Sequence, residues 1–86
     1  MNINELIAIV KNKLEREIVI QDLKIEDKSF LHKNHKGHKD GKFHLKITIK
    51  SADLSKSSKI VSTKRVYNVL AIELELHIHS IQIVFD

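Results

Sequence analysis

Six histidines are the residues of this chain best suited to chemistry, and their distribution is uneven. Four fall in "HKNHKGHKDGKFH", residues 32 to 44, and two close together as "HIH", residues 77 to 79. Histidine is the commonest side-chain metal ligand and titrates nearest neutral pH, so ligation, proton sensing and simple solvation in a loop compete as explanations. His32, His35 and His38 repeat at i, i+3, i+6, a spacing that imposes no geometry in an irregular segment. A self-contained zinc site needs about four well-placed ligands and usually draws on cysteine, of which this chain has none. His77 stands at a helix-to-strand junction, where a helix C-terminus favours positive charge. His79 shares strand parity with Ile81, Ile83 and Phe85, which predicts a position at the sheet margin, packed on one side and open on the other.

A second group of candidates is basic. "KSSKIVSTKR" carries Lys56, Lys59, Lys64 and Arg65 with no acidic residue among them, a pattern suited either to phosphate contact or to a solvated helix face. The chain contains 15 basic and 11 acidic residues, a net charge of +4 that permits weak phosphate contact but falls short of a dedicated nucleic-acid footprint. Phe30, Phe43, Tyr67 and Phe85 read as core or boundary residues, so no stacking platform for bases is visible. There is no nucleophile elbow, phosphate-binding loop, HExxH motif or carboxylate pair on an obvious cleft, and the expectation is a protein that is not an enzyme.

The elements that must position these groups follow from periodicity. Leu6, Ile7, Val10 and Leu14 repeat at helical spacing after Asn4, predicting a capped helix over about residues 4 to 17. "IVIQDLKIEDKS" alternates as a strand, with Leu23 and Ile25 apolar. In "KFHLKITIKS" Phe43, Leu45, Ile47 and Ile49 take one face and His44, Lys46, Thr48 and Lys50 the other, so His44 points away from the core. The only glycines, Gly37 and Gly41, precede this strand and suit a long hairpin connection. "SADLSKSSK" is a polar connector able to supply a serine cap. A second helix from about Ser58 to Leu76 carries a stripe of Tyr67, Leu70, Ala71 and Leu74, with Val66 and Val69 beside it. "HIHSIQIVF" closes the chain as a third strand.

The order α-β-β-α-β predicts an α+β fold, with an antiparallel hairpin inside a three-stranded mixed sheet and both helices on one face. With 86 residues, 42% of them hydrophobic and 30% charged, one domain spanning 1–86 is expected. The absence of cysteine and a charged start, "MNINELIAIVKNKL", suggest a cytoplasmic protein with no membrane segment.

With these elements in place, "EDKS", "HKGH", "FHLKITIKSADL", "VYNVLAIEL" and "IHSIQI", in that order, resemble the BolA family over roughly residues 5 to 85. The resemblance implies a fold similar to a class II KH domain. It also implies partnership with a monothiol glutaredoxin, either through a bridging 2Fe-2S cluster or without one, in iron-sulfur trafficking or iron regulation. The family's C-terminal histidine ligand corresponds to His79, and its loop ligand to His35 or His38, with His32 behind them. Histidine can replace cysteine on one iron of such a cluster. The thiols would come from the glutaredoxin and glutathione, so the isolated chain, a monomer or weak homodimer, is expected to hold no cluster. Ligation needs neutral imidazole, so cluster binding should weaken below the ordinary imidazole pKa of about 6.5.

Two departures from the family pattern stand out. Ser62, Thr63 and Lys64 replace its R-H-R triplet, and Leu54, Ser55, Lys56 and Ser57 replace its F-x-G-K turn. Both bear on the alternative function, a DNA-binding transcriptional regulator using the KH-like face and the four basic residues. A third reading, a solitary metal carrier built on the histidine loop, predicts tight Zn²⁺ or Ni²⁺ binding by the protein alone.

Overall fold

The computed structural model describes residues 1–29 and 42–86. His32, His35, His38, Phe30, Gly37 and Gly41, and every expectation placed on them, lie outside the described residues. In chain order the elements are α1 (Ile3–Glu17), β1 (Asp22–Asp27), β2 (Phe43–Lys50), α2 (Ala52–Ser55), α3 (Lys59–Val69), α4 (Ala71–Leu76) and β3 (Ile78–Phe85). The sheet order is β1-β2-β3, with β1 and β2 antiparallel and β2 and β3 parallel.

The cap of α1 lies two residues before the expected one. Asn2, not Asn4, accepts the Glu5 N–H at 2.8 Å and donates back to the Glu5 carboxylate at 3.0 Å, a reciprocal pair that satisfies an otherwise orphan donor. Leu6, Val10 and Leu14, one helical face, are fully buried. They pack with Leu45, Ile47 and Ile49 of β2 and with Val66, Leu70 and Ile78 in a single core. Each such aliphatic side chain contributes about 1.5–3 kcal/mol when taken from water, and this burial holds the helical layer on the sheet. On the opposite sheet face Asp22 pairs across to Lys50, and Glu26 to Lys46, so neighbouring strands bring opposite charges together.

The second helix differs from the sequence reading in three ways. Ser51 caps a separate short helix, accepting the Leu54 N–H at 3.1 Å and donating to the Val19 carbonyl at 2.7 Å. The turn that follows needs no glycine, because its Lys56 sits at φ −75°, ψ −13°, open to any residue. The long helix is interrupted at Leu70, where φ −101°, ψ 17° leaves the helical basin for one residue. Its buried face is also rotated: Ser62, Val66, Leu70 and Glu73 are inside, whereas Tyr67 and Ala71 face outward. Two polar bonds make the rotation affordable. Ser62 donates to the Leu54 carbonyl at 2.8 Å, and Lys13 of α1 bonds the Glu73 carboxylate at 2.6 Å.

Candidate ligand site at the bulge of the third strand

The pairing of β2 with β3 is irregular at one point. Phe43 pairs with Ile78, but the next residue of β2, His44, pairs with Ser80, so His79 is an extra residue on the β3 side. This is a β-bulge, in which two residues on one strand oppose one on its partner. Its effect on side-chain direction is decisive. Ile78 is buried at one end of the core, and Ile81, Ile83 and Phe85 pack against the same core. Counted back from Ile81, uninterrupted alternation would direct His79 inward. The bulge cancels that parity: His79 is exposed, and the one-sided packing expected of a sheet margin comes from His44.

The bulge places His79 against His44. Their ring centroids are 4.8 Å apart, with planes inclined at 53°. His44 lies on the sheet face away from the helices, as its alternation predicts, yet it is only 6% exposed. Its Nδ1 shares a 2.7 Å hydrogen bond with Ser80 Oγ, which fixes the ring to the partner strand. Its backbone is tied as firmly to the end of β1: the His44 N–H donates to Ser29 Oγ at 3.0 Å, and the Lys28 N–H donates to the His44 carbonyl at 2.7 Å. Ser29 is held in turn by its N–H donating to Asp27 Oδ1 at 2.9 Å.

At the other side of this corner, Lys42 Nζ donates to the Glu75 carbonyl at 3.1 Å and the Phe43 N–H to the His77 carbonyl at 2.9 Å. These bonds lock the end of α4 to the start of β2 and fix the point at which β3 begins. Ser29 and Lys42, which bound segment 30–41, therefore both sit at the corner that carries the histidine pair.

Of the histidines named from sequence, the structure places His79 in this corner and leaves His77 half-buried at the end of α4. Sequence reasoning left His44, Ser80 and Ser29 out of the site. The signal for His44 was its outward parity in β2. Nothing in the sequence reported its pairing with Ser80. Among the described residues no three His, Asp or Glu side chains converge as a metal cage. His79 thus presents one exposed imidazole backed by a second, which suits a group whose remaining ligands come from elsewhere.

The basic candidates separate into two kinds. Arg65 bonds the Asp53 carboxylate at 2.9 Å and the Glu17 carbonyl at 3.3 Å, clamping α3 to α2 and α1. Lys56, Lys59 and Lys64 make no ion pair among the described residues. Lys59 also borders a cleft of about 430 Å³ between the α2–α3 turn and the C-terminal ends of β2 and β3, lined by Ser55, Ser57, Ser62 and Gln82 among others.

Comparison with known proteins agrees with this architecture. The family described as BolA-like protein matches residues 14–85. The chain belongs to the BolA family. This BolA-like chain is 33% identical over 73 residues to the DNA-binding transcriptional regulator BolA of Haemophilus influenzae, covering 85% of the chain and 68% of that protein. It is 31% identical over 78 residues to the chloroplastic protein BOLA1 of Arabidopsis thaliana, covering 87% of the chain but spanning about half, 49%, of that relative. Among solved structures, the BolA domain of SufE1 from Arabidopsis thaliana superposes with a TM-score of 0.79 at 26% identity, covering all of this chain and 93% of that domain. BolA1 from Arabidopsis thaliana superposes with a TM-score of 0.78 at 29% identity, covering 92% of this chain and 87% of that one. The α+β fold with its mixed three-stranded sheet is thus the BolA fold.

Proposed function

We propose that this BolA-like chain is a non-enzymatic partner of a monothiol glutaredoxin and contributes histidine to a 2Fe-2S cluster bridging the two, in iron-sulfur trafficking or iron regulation. The observation that carries the reading is the bulge, which turns His79 out of the core and sets its ring on His44. A bridging cluster requires a ligand that a second protein can reach, and an exposed imidazole at a sheet corner meets that requirement. Bound there, the cluster would supply the iron that accepts imidazole nitrogen in place of thiolate.

The roles of this chain's own residues follow from the geometry. His79 would offer a ring nitrogen to iron. His44, held by Ser80 and nearly buried, acts as a positioning residue: its ring limits the directions His79 can take, and it shields one side of that ring from water. Because the chain has no cysteine, the thiolates in this reading come from the glutaredoxin and glutathione. A second histidine ligand from this chain would be His35 or His38. The test is reconstitution with a monothiol glutaredoxin, glutathione, iron and sulfide, followed by visible circular dichroism. A spectrum that differs from that of the glutaredoxin alone, and reverts with His79→Ala, supports the assignment; one that His79→Ala leaves unchanged refutes it.

A second reading, DNA binding, is favoured by the name of the Haemophilus influenzae relative and by the three lysines that make no ion pair among the described residues. Here Lys56, Lys59 and Lys64 would contact phosphates beside the cleft at the α2–α3 turn, and Arg65 would serve mainly to hold α3 in place. Affinity should then fall steeply with salt, and no measurable binding at low salt would remove the reading.

A further inference from the structure

The two edges of the sheet are built differently. β1, at one edge, carries Asp22, Lys24, Glu26 and Asp27 in six residues, the charged edge by which proteins discourage strand addition. β3, at the other, reads Ile-His-Ser-Ile-Gln-Ile-Val-Phe, eight residues without a proline or a formal charge. The Asp86 N–H donates to Ile49 of β2, so by strand alternation Ile81, Ile83 and Phe85 turn their backbone groups to the free edge. The Tyr67 hydroxyl reaches the Ile81 carbonyl at 3.4 Å, and no other hydrogen bond to that edge is present among the described residues. Such a row of backbone donors and acceptors is a template for another strand.

The same tyrosine joins this edge to an exposed apolar stripe. Tyr67 is 40% exposed and Ile60, two turns earlier on α3, is 70% exposed. Together with Thr63, Asn68, Lys59 and Lys64 they line a shallow hollow of about 580 Å³. The hollow is therefore lined by both apolar and basic side chains, and neither lysine has an acidic partner among the described residues.

We propose that the β3 edge and the α3 stripe form one docking site for an extended segment of a partner protein, in which apolar residues alternate with acidic ones. The segment adds to β3 as a fourth strand. Its backbone bonds Ile81, Ile83 and Phe85, its apolar side chains cover Ile60 and Tyr67, and its carboxylates meet Lys59 and Lys64. Charge selects this occupant over a second copy of the chain, because the β3 strand of another copy carries no carboxylate to meet Lys59 and Lys64. The site is independent of the histidine corner and requires no cluster.

The test uses the protein alone with a labelled synthetic peptide alternating valine with glutamate, followed by fluorescence anisotropy and amide chemical shifts. Expected are saturable binding, shifts confined to β3 and α3, and slowed hydrogen exchange at Ile81, Ile83 and Phe85. Lys64→Glu, on the exposed surface, should weaken the peptide at least tenfold. A peptide with alternate amides N-methylated should not bind. The proposal is overturned by absence of binding, by equal binding of a valine-lysine peptide, by shifts on another face, or by a concentration-dependent dimer through β3 that the peptide fails to compete. Because no glutaredoxin or cluster is present, failure here leaves the cluster reading untouched, and the reverse also holds.

Discussion

His44 and His79 lie on adjacent strands with ring centroids 4.8 Å apart, and one inserted residue makes the contact. Ile78 and Ile81 both serve the core although two residues separate them, so the bulge at His79 leaves the core pattern intact and turns His79 outward. A chain lacking His79 should restore uninterrupted alternation, Ile78 inward, Ser80 outward and Ile81 inward. We expect that deletion variant to fold, with a stability change below about 1 kcal/mol, and to lose its effect on the cluster spectrum. Thermal unfolding alongside reconstitution checks both halves; collapse of the fold would show that the bulge serves stability instead.

Ser80 anchors the buried ring of His44 through the 2.7 Å bond to Nδ1. Ser80→Ala leaves that nitrogen without its partner on β3 and should cost about 1–2 kcal/mol in urea denaturation. The altered His44 ring should also shift the visible spectrum of the joint complex slightly, whereas His79→Ala should remove the His79 ligand and change it far more. Identical spectra for Ser80→Ala and the parent would remove the positioning role.

Much of this architecture was legible in the sequence. The strict alternation of β2 and the i, i+4 repeat of α1 each left one solution. The failures share a cause, which is that sequence patterns assign faces by residue type and even spacing. Even spacing puts Tyr67 on the stripe with Leu70, Ala71 and Leu74, whereas Glu73, charged and off that stripe, is the residue inside, because a lysine 60 positions away makes its burial tolerable. His79 was assigned a parity that an inserted residue cancels. His44 was read correctly as outward-facing, but burial by a neighbouring strand and by its bond to Ser80 is a tertiary fact that alternation does not encode.

Glu73 supplies a further prediction. Its side chain is 7% exposed, and one carboxylate oxygen is bonded to Lys13. Lys13→Met removes the only cation on a buried carboxylate among the described residues. Loss of a buried ion-pair partner typically costs about 3–5 kcal/mol, and because Lys13 itself remains partly solvated the expected cost is nearer about 2 kcal/mol. The double variant Lys13→Met, Glu73→Leu should recover most of that loss, which a double-mutant cycle in urea would measure. Additive losses would show that the pair is not coupled.

Glu26 sets an acid-side dependence. The hydrogen bond from Lys28 holds its carboxyl below the ordinary value of 4.5 against the opposing effect of desolvation, with Lys24, Lys28 and Lys46 adding electrostatic support. A depressed folded-state pKa stabilises the fold fully above the unfolded value, and the contribution is lost as pH falls through the folded value. Lys28→Ala should move the Glu26 titration midpoint upward, as followed by side-chain carboxyl shifts. An unmoved midpoint would assign the depression to Lys24 and Lys46.

Nitrogen hyperfine spectroscopy on the reduced joint complex, with only this chain labelled with ¹⁵N-histidine, asks most directly whether the exposed imidazole at the bulge binds iron. The expected result is strong directly coordinated ¹⁵N coupling that loses the His79 contribution with His79→Ala, leaving at most that of the loop histidine, and that is unchanged with His77→Ala. A cluster that forms in the joint complex with no coupled ¹⁵N from this chain, or with coupling indifferent to His79→Ala, would contradict the ligand assignment.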